Sequence, residues 1–186
     1  MFDGSAIAGS EHGTFLDELN ARFLDDGRKI QLLDDFRFLD PSDIEWKAER
    51  GFVSDGASIP RSLWTIVGGP LDGKYRRASI IHDKYCEIRT RSWKDTHRVF
   101  YFGMRASGVS ESKARTMYFA VLIGGPRWGL VNGAITYIVP EYSIVELGKA
   151  RQIRIKIEND QSVGYREIEG IALEFSAQKF PYELRH

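Results

Sequence analysis

The spacing of apolar positions changes period several times along this chain, and each change predicts an element. In FLDELNARFL, Phe15, Leu16, Leu19 and Phe23 recur at helical spacing, which predicts a short amphipathic helix that packs on the domain or on a partner. KIQLLDDFRFLD and IEWKAERGFVS instead alternate with the period of two of a half-buried strand, and the break at Pro41-Ser42-Asp43 suggests an antiparallel pair. Residues 76–123 return to helical spacing. Ala78, Ile81, His82 and Tyr85 fall on one stripe, His97, Phe100, Tyr101 and Met104 on a second, and Ala114, Met117, Tyr118, Val121 and Leu122 on a third that follows a capping candidate, Ser110. Gly108 and then Gly124-Gly125-Pro126 punctuate these helices. From Ala134 the strand signals resume, in ITYIVP, in RQIRIKIE with Ile153, Ile155 and Ile157 alternating, and in GIALEFSA. The expected fold is α+β, a central three-helix unit packed with antiparallel β-strands before and after it. Residues 1–13, small, polar and glycine-rich, read as a flexible lead; 14–186 reads as a single domain, with 134–186 as a C-terminal β extension.

Composition narrows the function classes. A chain of 186 residues with 42% apolar residues and 12% aromatics can build a proper core. Its 26 basic and 26 acidic side chains balance, so no global field draws it to nucleic acid or an anionic membrane; a local cluster of Arg76, Arg77, Arg89 and Arg91 is the exception to weigh. No stretch approaches a membrane span. The first residues, MFDGSAIAGSEHG, lack the basic start and apolar run of a Sec-type signal peptide, so the expectation is synthesis in the cytoplasm. One cysteine, Cys86, excludes an internal disulfide framework.

Candidate chemistry begins with the four histidines. His12 falls in the lead and His186 is the last residue, which leaves His82 and His97, both in helical interiors. If helix 76–88 turns near Arg89 to Ser92 and returns as helix 93–107, the two imidazoles lie about 8 to 9 Å from the turn on either side, at the same level. With Asp83 at the edge of the stripe, His82, Asp83 and His97 form a candidate ligand set for zinc or another divalent ion. Asp55, on a glycine-containing turn after a strand, is a candidate ligand or general base, with Ser58 close behind it in sequence. Blander readings stand beside these. The histidines can be a hydrogen-bonded core pair, and Asp55-Gly56-Ala57-Ser58 can be a turn whose carboxylate binds backbone amides. Ser58 has no nucleophile-elbow glycines around it. Cys86, one helical turn beyond His82, is either half of a cysteine–histidine pair or a buried thiol that does no chemistry.

FVSDGASIPRSLW, YRRASIIHDKY, DTHRVFYFGMRASGV and MYFAVLIGGPRWG, in this order over residues 51–129, resemble a family of unknown function found in bacteriophage genomes and in bacteria. The family pattern, G-F-x-[ST]-D-x-A-S-[IV]-P followed by H-D-x-x-Y and then an acidic or histidine position, falls here on Asp55, Ser58, Pro60, His82, Asp83, Tyr85 and His97. The resemblance implies a polar functional centre without naming a substrate. Two function classes follow. One is a metal-assisted hydrolase of cell-wall peptidoglycan, acting as a phage lysis enzyme or a secreted antibacterial effector: His82, Asp83 and His97 hold the ion, Asp55 activates water, and Ser58 or Arg77 supports the substrate. The other is a non-enzymatic phage or secretion-associated module in which Trp64, Trp93 and Trp128 contact a partner protein.

Overall fold

The computed structural model describes residues 11–25, 29–54 and 73–185. Two small antiparallel sheets open the fold. One has the order β1-β4-β5, from Thr14–Phe15, Phe36–Leu39 and Glu45–Ala48; the other has the order β2-β3-β6, from Ala21–Phe23, Ile30–Leu32 and Val53–Ser54. The alternation read from the sequence is the alternation observed. Ile30, Leu32, Phe36, Phe38, Trp46 and Ala48 point inward and are buried with Ile80, Ile81, Tyr85 and Val99 of the helices. Each large side chain sealed in this way contributes about 2 to 3 kcal/mol. Around Pro41-Ser42-Asp43, the Asp40 carboxylate accepts from the Ser42 and Ile44 amides and from Trp46 Nε1, while Asp43 takes a positive φ of 58°. The turn thus closes on its own first residue.

The expected three-helix unit follows as α1 (Arg76–Ile88), α2 (Trp93–Ala106) and α3 (Glu111–Gly124). The α1–α2 turn is short because Arg89 takes the left-handed conformation, φ 53°, and Ser92 caps α2 by accepting from the Asp95 amide. Helix α3 is buried without interruption from Ala114 to Gly124 and is the central rod of the larger core. A hairpin then pairs β7 (Arg127–Val131) with β8 (Ala134–Ile138) through Asn132-Gly133, both at positive φ. Two helices, α4 (Ile144–Asn159) and α5 (Tyr165–Ser176), close over α3. The fold is α+β, with antiparallel strands on both sides of the helices. No helix among the described residues is long and apolar enough to cross a membrane.

Three local expectations are corrected. Residues 14–23 are two short strands joined by an irregular stretch, because tertiary partners outcompete a helix too short to hold itself. Phe15 packs on Phe36 and Phe38, and Arg37 takes the Asp17 carboxylate with two guanidinium nitrogens and its own amide. The strands expected in RQIRIKIE and GIALEFSA are helices, so most of the C-terminal β extension is α-helical. Alternation misled at Ile155, which is largely exposed; the buried row is Ala150 and Ile157, flanked by Leu147 and Ile153, at helical spacing. The signal that announces α4 is Ser143-x-x-Glu146, a capping box formed in both directions. Finally, the end of the expected flexible lead is fixed on β4. Gly13 has φ +82°, and a Cβ there would run into the Leu39 carbonyl oxygen and the Phe38 ring.

Candidate functional site

Helices α1 and α2 run side by side and face each other with His82 and His97, as the turn geometry requires. His82 Nε2 lies 2.9 Å from His97 Nδ1, and His97 Nε2 lies 3.1 Å from the carbonyl oxygen of Pro126. That carbonyl can only accept, so the protons follow: His97 donates from Nε2 to Pro126, leaving Nδ1 to accept from His82 Nε2–H. His82 Nδ1 is then a bare acceptor, with Cys86 Sγ at 3.9 Å and Asp83 Oδ1 at 4.0 Å. Cys86 Sγ also lies 3.6 Å from His82 Nε2, since Cys86 sits one helical turn after His82. Phe100, Trp93 and Trp128 wall the pair with aromatic rings.

Both imidazoles are sealed from solvent, and this sets their charge. Burial pushes the His82 pKa down to about 3. His97 also falls well below its ordinary value, through burial first, then the His82 ring and the Arg127 cation, against the opposing pull of the Pro126 carbonyl. At neutral pH both rings are uncharged, the form that ligates a metal.

The described residues offer one cluster with metal-ligand chemistry: His82, Cys86 and His97, whose donor atoms lie within 4.8 Å of one another. Ligand atoms around a tetrahedral ion are separated by roughly 3.3 to 3.8 Å. The Cys86–His82 distance already falls in that range, and the two imidazoles need part by only a few tenths of an ångström. The hydrogen bond from His97 to the Pro126 carbonyl is the outer contact that a ligating imidazole ordinarily makes. With Cys86 and His97 donors within 4.8 Å and able to draw together, the cluster can close around a divalent ion of intermediate softness, held by two nitrogens and one sulfur.

Of the residues predicted from sequence, the structure brings His82 and His97 together and adds Cys86. The Asp83 carboxylate lies on the opposite side of the His82 ring, at Nδ1, where its other oxygen accepts from Ser54 Oγ at 2.5 Å. It stands in the outer contacts of the cluster and not among its donor atoms. Asp55, Ser58, Pro60 and Trp64 lie outside the described residues. Trp93 and Trp128 are buried, and Trp128 Nε1 donates to the Arg91 carbonyl, so neither offers the exposed contact surface expected of it. Arg77 donates to the Asp17 carbonyl and stacks on Phe15; Arg89 covers Tyr137 and Arg91 covers Trp46. With Arg76 over Phe23, each arginine of the expected local cluster thus lies over a ring of a different strand. Sequence spacing missed Arg127. It is fully buried, stacked between Trp93 and Phe180, with its pKa lowered to about 10 by burial.

Gly125 controls the approach of the α3 end to the cluster. A Cβ there would meet Val121 O at 2.5 Å and His97 Cε1 at 2.8 Å. Gly125→Ala is expected to displace the His97 ring and cost roughly 1 to 3 kcal/mol in urea unfolding, with the His97 ring resonances shifting in NMR spectra. An unshifted ring would show that the backbone yields instead.

Residues 30–121 match a protein family described as "Protein of unknown function (DUF1353)". The matched span contains His82, Cys86 and His97, and it begins at Ile30, so strands β3 to β6 fall inside it although the motifs quoted above begin at Gly51. Over 127 residues, 67% of this chain, the sequence is 47% identical to the uncharacterized protein y4jT of Sinorhizobium fredii; over 106 residues, 57% of the chain, it is 44% identical to the uncharacterized protein y4iH of the same organism. The chain spans 38% and 41% of the lengths of these relatives. No solved structure gives a significant match.

Proposed function

We propose that this protein is a metal-assisted hydrolase whose ion is held by His82 Nε2, His97 Nδ1 and Cys86 Sγ, acting on amide or peptide bonds of bacterial peptidoglycan. The observation that supports it is the convergence of these three buried donors, both imidazoles neutral and His97 oriented by a backbone carbonyl. A divalent ion such as zinc supplies Lewis acidity and lowers the pKa of a water. Three protein ligands match the number that a catalytic site uses when it leaves one position open. The chain's own residues orient and protonate. Ligation by His82 Nε2 moves that ring's proton to Nδ1, the nitrogen that Asp83, fixed by Ser54, faces at 4.0 Å. Asp55 directly follows Ser54 in sequence, within one residue of this contact, and keeps its proposed part as general base, with Ser58 beside substrate. The peptidoglycan substrate and delivery from the cytoplasm, as a virion component or secreted effector, rest on the resemblance to phage-associated sequences.

The 2.9 Å contact between the imidazoles is itself a normal hydrogen-bond length, and it favours a second reading. There the pair only locks α1 to α2 in a non-enzymatic module that binds a phage or secretion-system protein. Metal analysis of purified protein separates the two, together with release of peptides from peptidoglycan before and after chelation. The hydrolase reading expects about one ion per chain, hydrolysis lost on chelation and restored by zinc, and a thiolate-to-cobalt absorption band in the cobalt form that Cys86→Ser removes. Protein that binds no zinc or cobalt, keeps its melting temperature in chelator and releases nothing leaves the structural pair.

A further inference from the structure

The β7–β8 hairpin projects an apolar surface that the fold leaves uncovered. Trp128, Leu130, Ile135, Tyr137 and Val139 share one face by strand alternation and by the register pairing Leu130 with Ile135 and Trp128 with Tyr137. At its inner end this face is seated, with Trp128 buried and Tyr137 under the Arg89 guanidinium. Toward the tip it is open. Leu130 is 65% exposed and Ile135 86%, while Val139, just past the base of β8, is 46% exposed. The opposite face is anchored by Arg127 in the core and by Gly129 against Leu184.

The strand edge is open as well. Among the described residues β8 pairs with β7 alone. The two-residue turn makes Val131 and Ala134 a hydrogen-bonded pair, so Ala134, Thr136 and Ile138 spend their backbone groups on β7. Those of Ile135 and Tyr137 point outward. Exposed edges are ordinarily guarded by charge or proline, yet residues 128–139 contain no Asp, Glu, Lys, Arg or Pro.

We infer that β8 is a self-association edge, pairing antiparallel with β8 of a second copy about a two-fold axis at Thr136 to form a four-stranded sheet. In that register Ile135 and the partner copy's Tyr137 exchange backbone hydrogen bonds, and their side chains pack across the junction. A second copy is the occupant that fits: it presents the same uncharged apolar edge, and the chain's formal charge is zero, so two copies meet without net repulsion. The exposed side chains of Leu130, Ile135, Tyr137 and Val139 offer on the order of 400 Å² per copy, which with the edge backbone is the size of a weak, concentration-dependent association.

Sedimentation velocity from low to high micromolar concentration tests this, beside Ile135→Lys and Thr136→Cys variants. The expectation is a dimer for the parent chain and a monomer for Ile135→Lys with an unchanged circular dichroism spectrum. Thr136→Cys should give a covalent dimer in oxidised glutathione, since residues facing each other across such a pair lie about 4.5 Å apart at Cα. A parent chain monomeric at the highest concentration overturns the inference. So does a dimer that forms no Thr136→Cys cross-link, whatever Ile135→Lys does, because it would use another surface.

Discussion

Acidifying the protein from about pH 7 to pH 5 is expected to remove stability steeply, through its buried histidines. The unfolded chain binds a proton at each histidine near pH 6.5, whereas in the folded state burial holds His82 at about 3 and His97 well below its ordinary value. Below pH 6.5 the unfolded state therefore carries more protons, and stability falls as pH falls, by roughly 1.4 kcal/mol per pH unit for each histidine until the folded rings titrate in turn. His12 shifts in the same direction, through partial burial first, and adds a smaller share. The depressed carboxylates, Asp17, Asp35, Glu49, Glu146 and Asp160, act in the same sense but only below about pH 4.5, where the unfolded chain begins to protonate them. The window from about pH 6.5 to 5 belongs to histidine. Urea unfolding at half-unit steps should give a slope there that His97→Asn reduces. A flat profile would mean that the pair takes up protons while folded, which a sealed, uncharged centre does not allow. A bound ion steepens the same dependence, because protons compete for its ligands.

Arg127→Ala is expected to cost about 3 to 5 kcal/mol. The guanidinium lies 4.2 Å from the Trp93 ring centroid and 3.9 Å from that of Phe180, and it donates to the carbonyls of Leu122 and Leu184 and to Ser176 Oγ. It joins the end of α3, the end of α5 and the C-terminal turn at one point. Truncation opens a cavity between two aromatic rings and strips three buried acceptors of a donor at once. Arg127→Met keeps the stacking volume and removes a cation whose desolvation is itself unfavourable, so it should cost clearly less than alanine. Because Arg127 also presses the His97 pKa downward, the methionine variant should shift the acid limb of unfolding to lower slope. Chemical denaturation of both variants at pH 7 and near pH 5.5 measures all of this; equal losses for alanine and methionine would show that hydrogen bonding, not packing, carries the effect.

The parts of this protein legible in the sequence are those in which local pattern and tertiary environment agree. Strands β3 to β5 alternate because one face is buried, and α1 to α3 carry their apolar stripes, with Ser92 capping the start of α2 and Gly108 and Gly124-Gly125 following α2 and closing α3. Those helices alone place His82 and His97 at one level, so half of the centre could be derived from a rise per residue and a turn length. Cys86 was legible too, as the residue one turn beyond His82, but nothing in the spacing told a donor from an inert thiol.

The rest was decided by contacts distant in sequence. Phe15 and Asp17 leave the helix that their spacing suggests because Phe36, Phe38 and Arg37 offer a better partner to an extended chain. Ile153, Ile155 and Ile157 satisfy a strand and a helix pattern equally; the buried surface of α3 selects the helix, and with it which isoleucine is left in solvent. The site divides in the same way. Residue type and local spacing determined the histidine pair. The protons of that pair, the side on which Asp83 stands and the presence of Arg127 behind His97 depend on the Pro126 carbonyl, on Ser54 and on the C-terminal turn, because burial and hydrogen-bond partners belong to the folded chain and not to any segment of it.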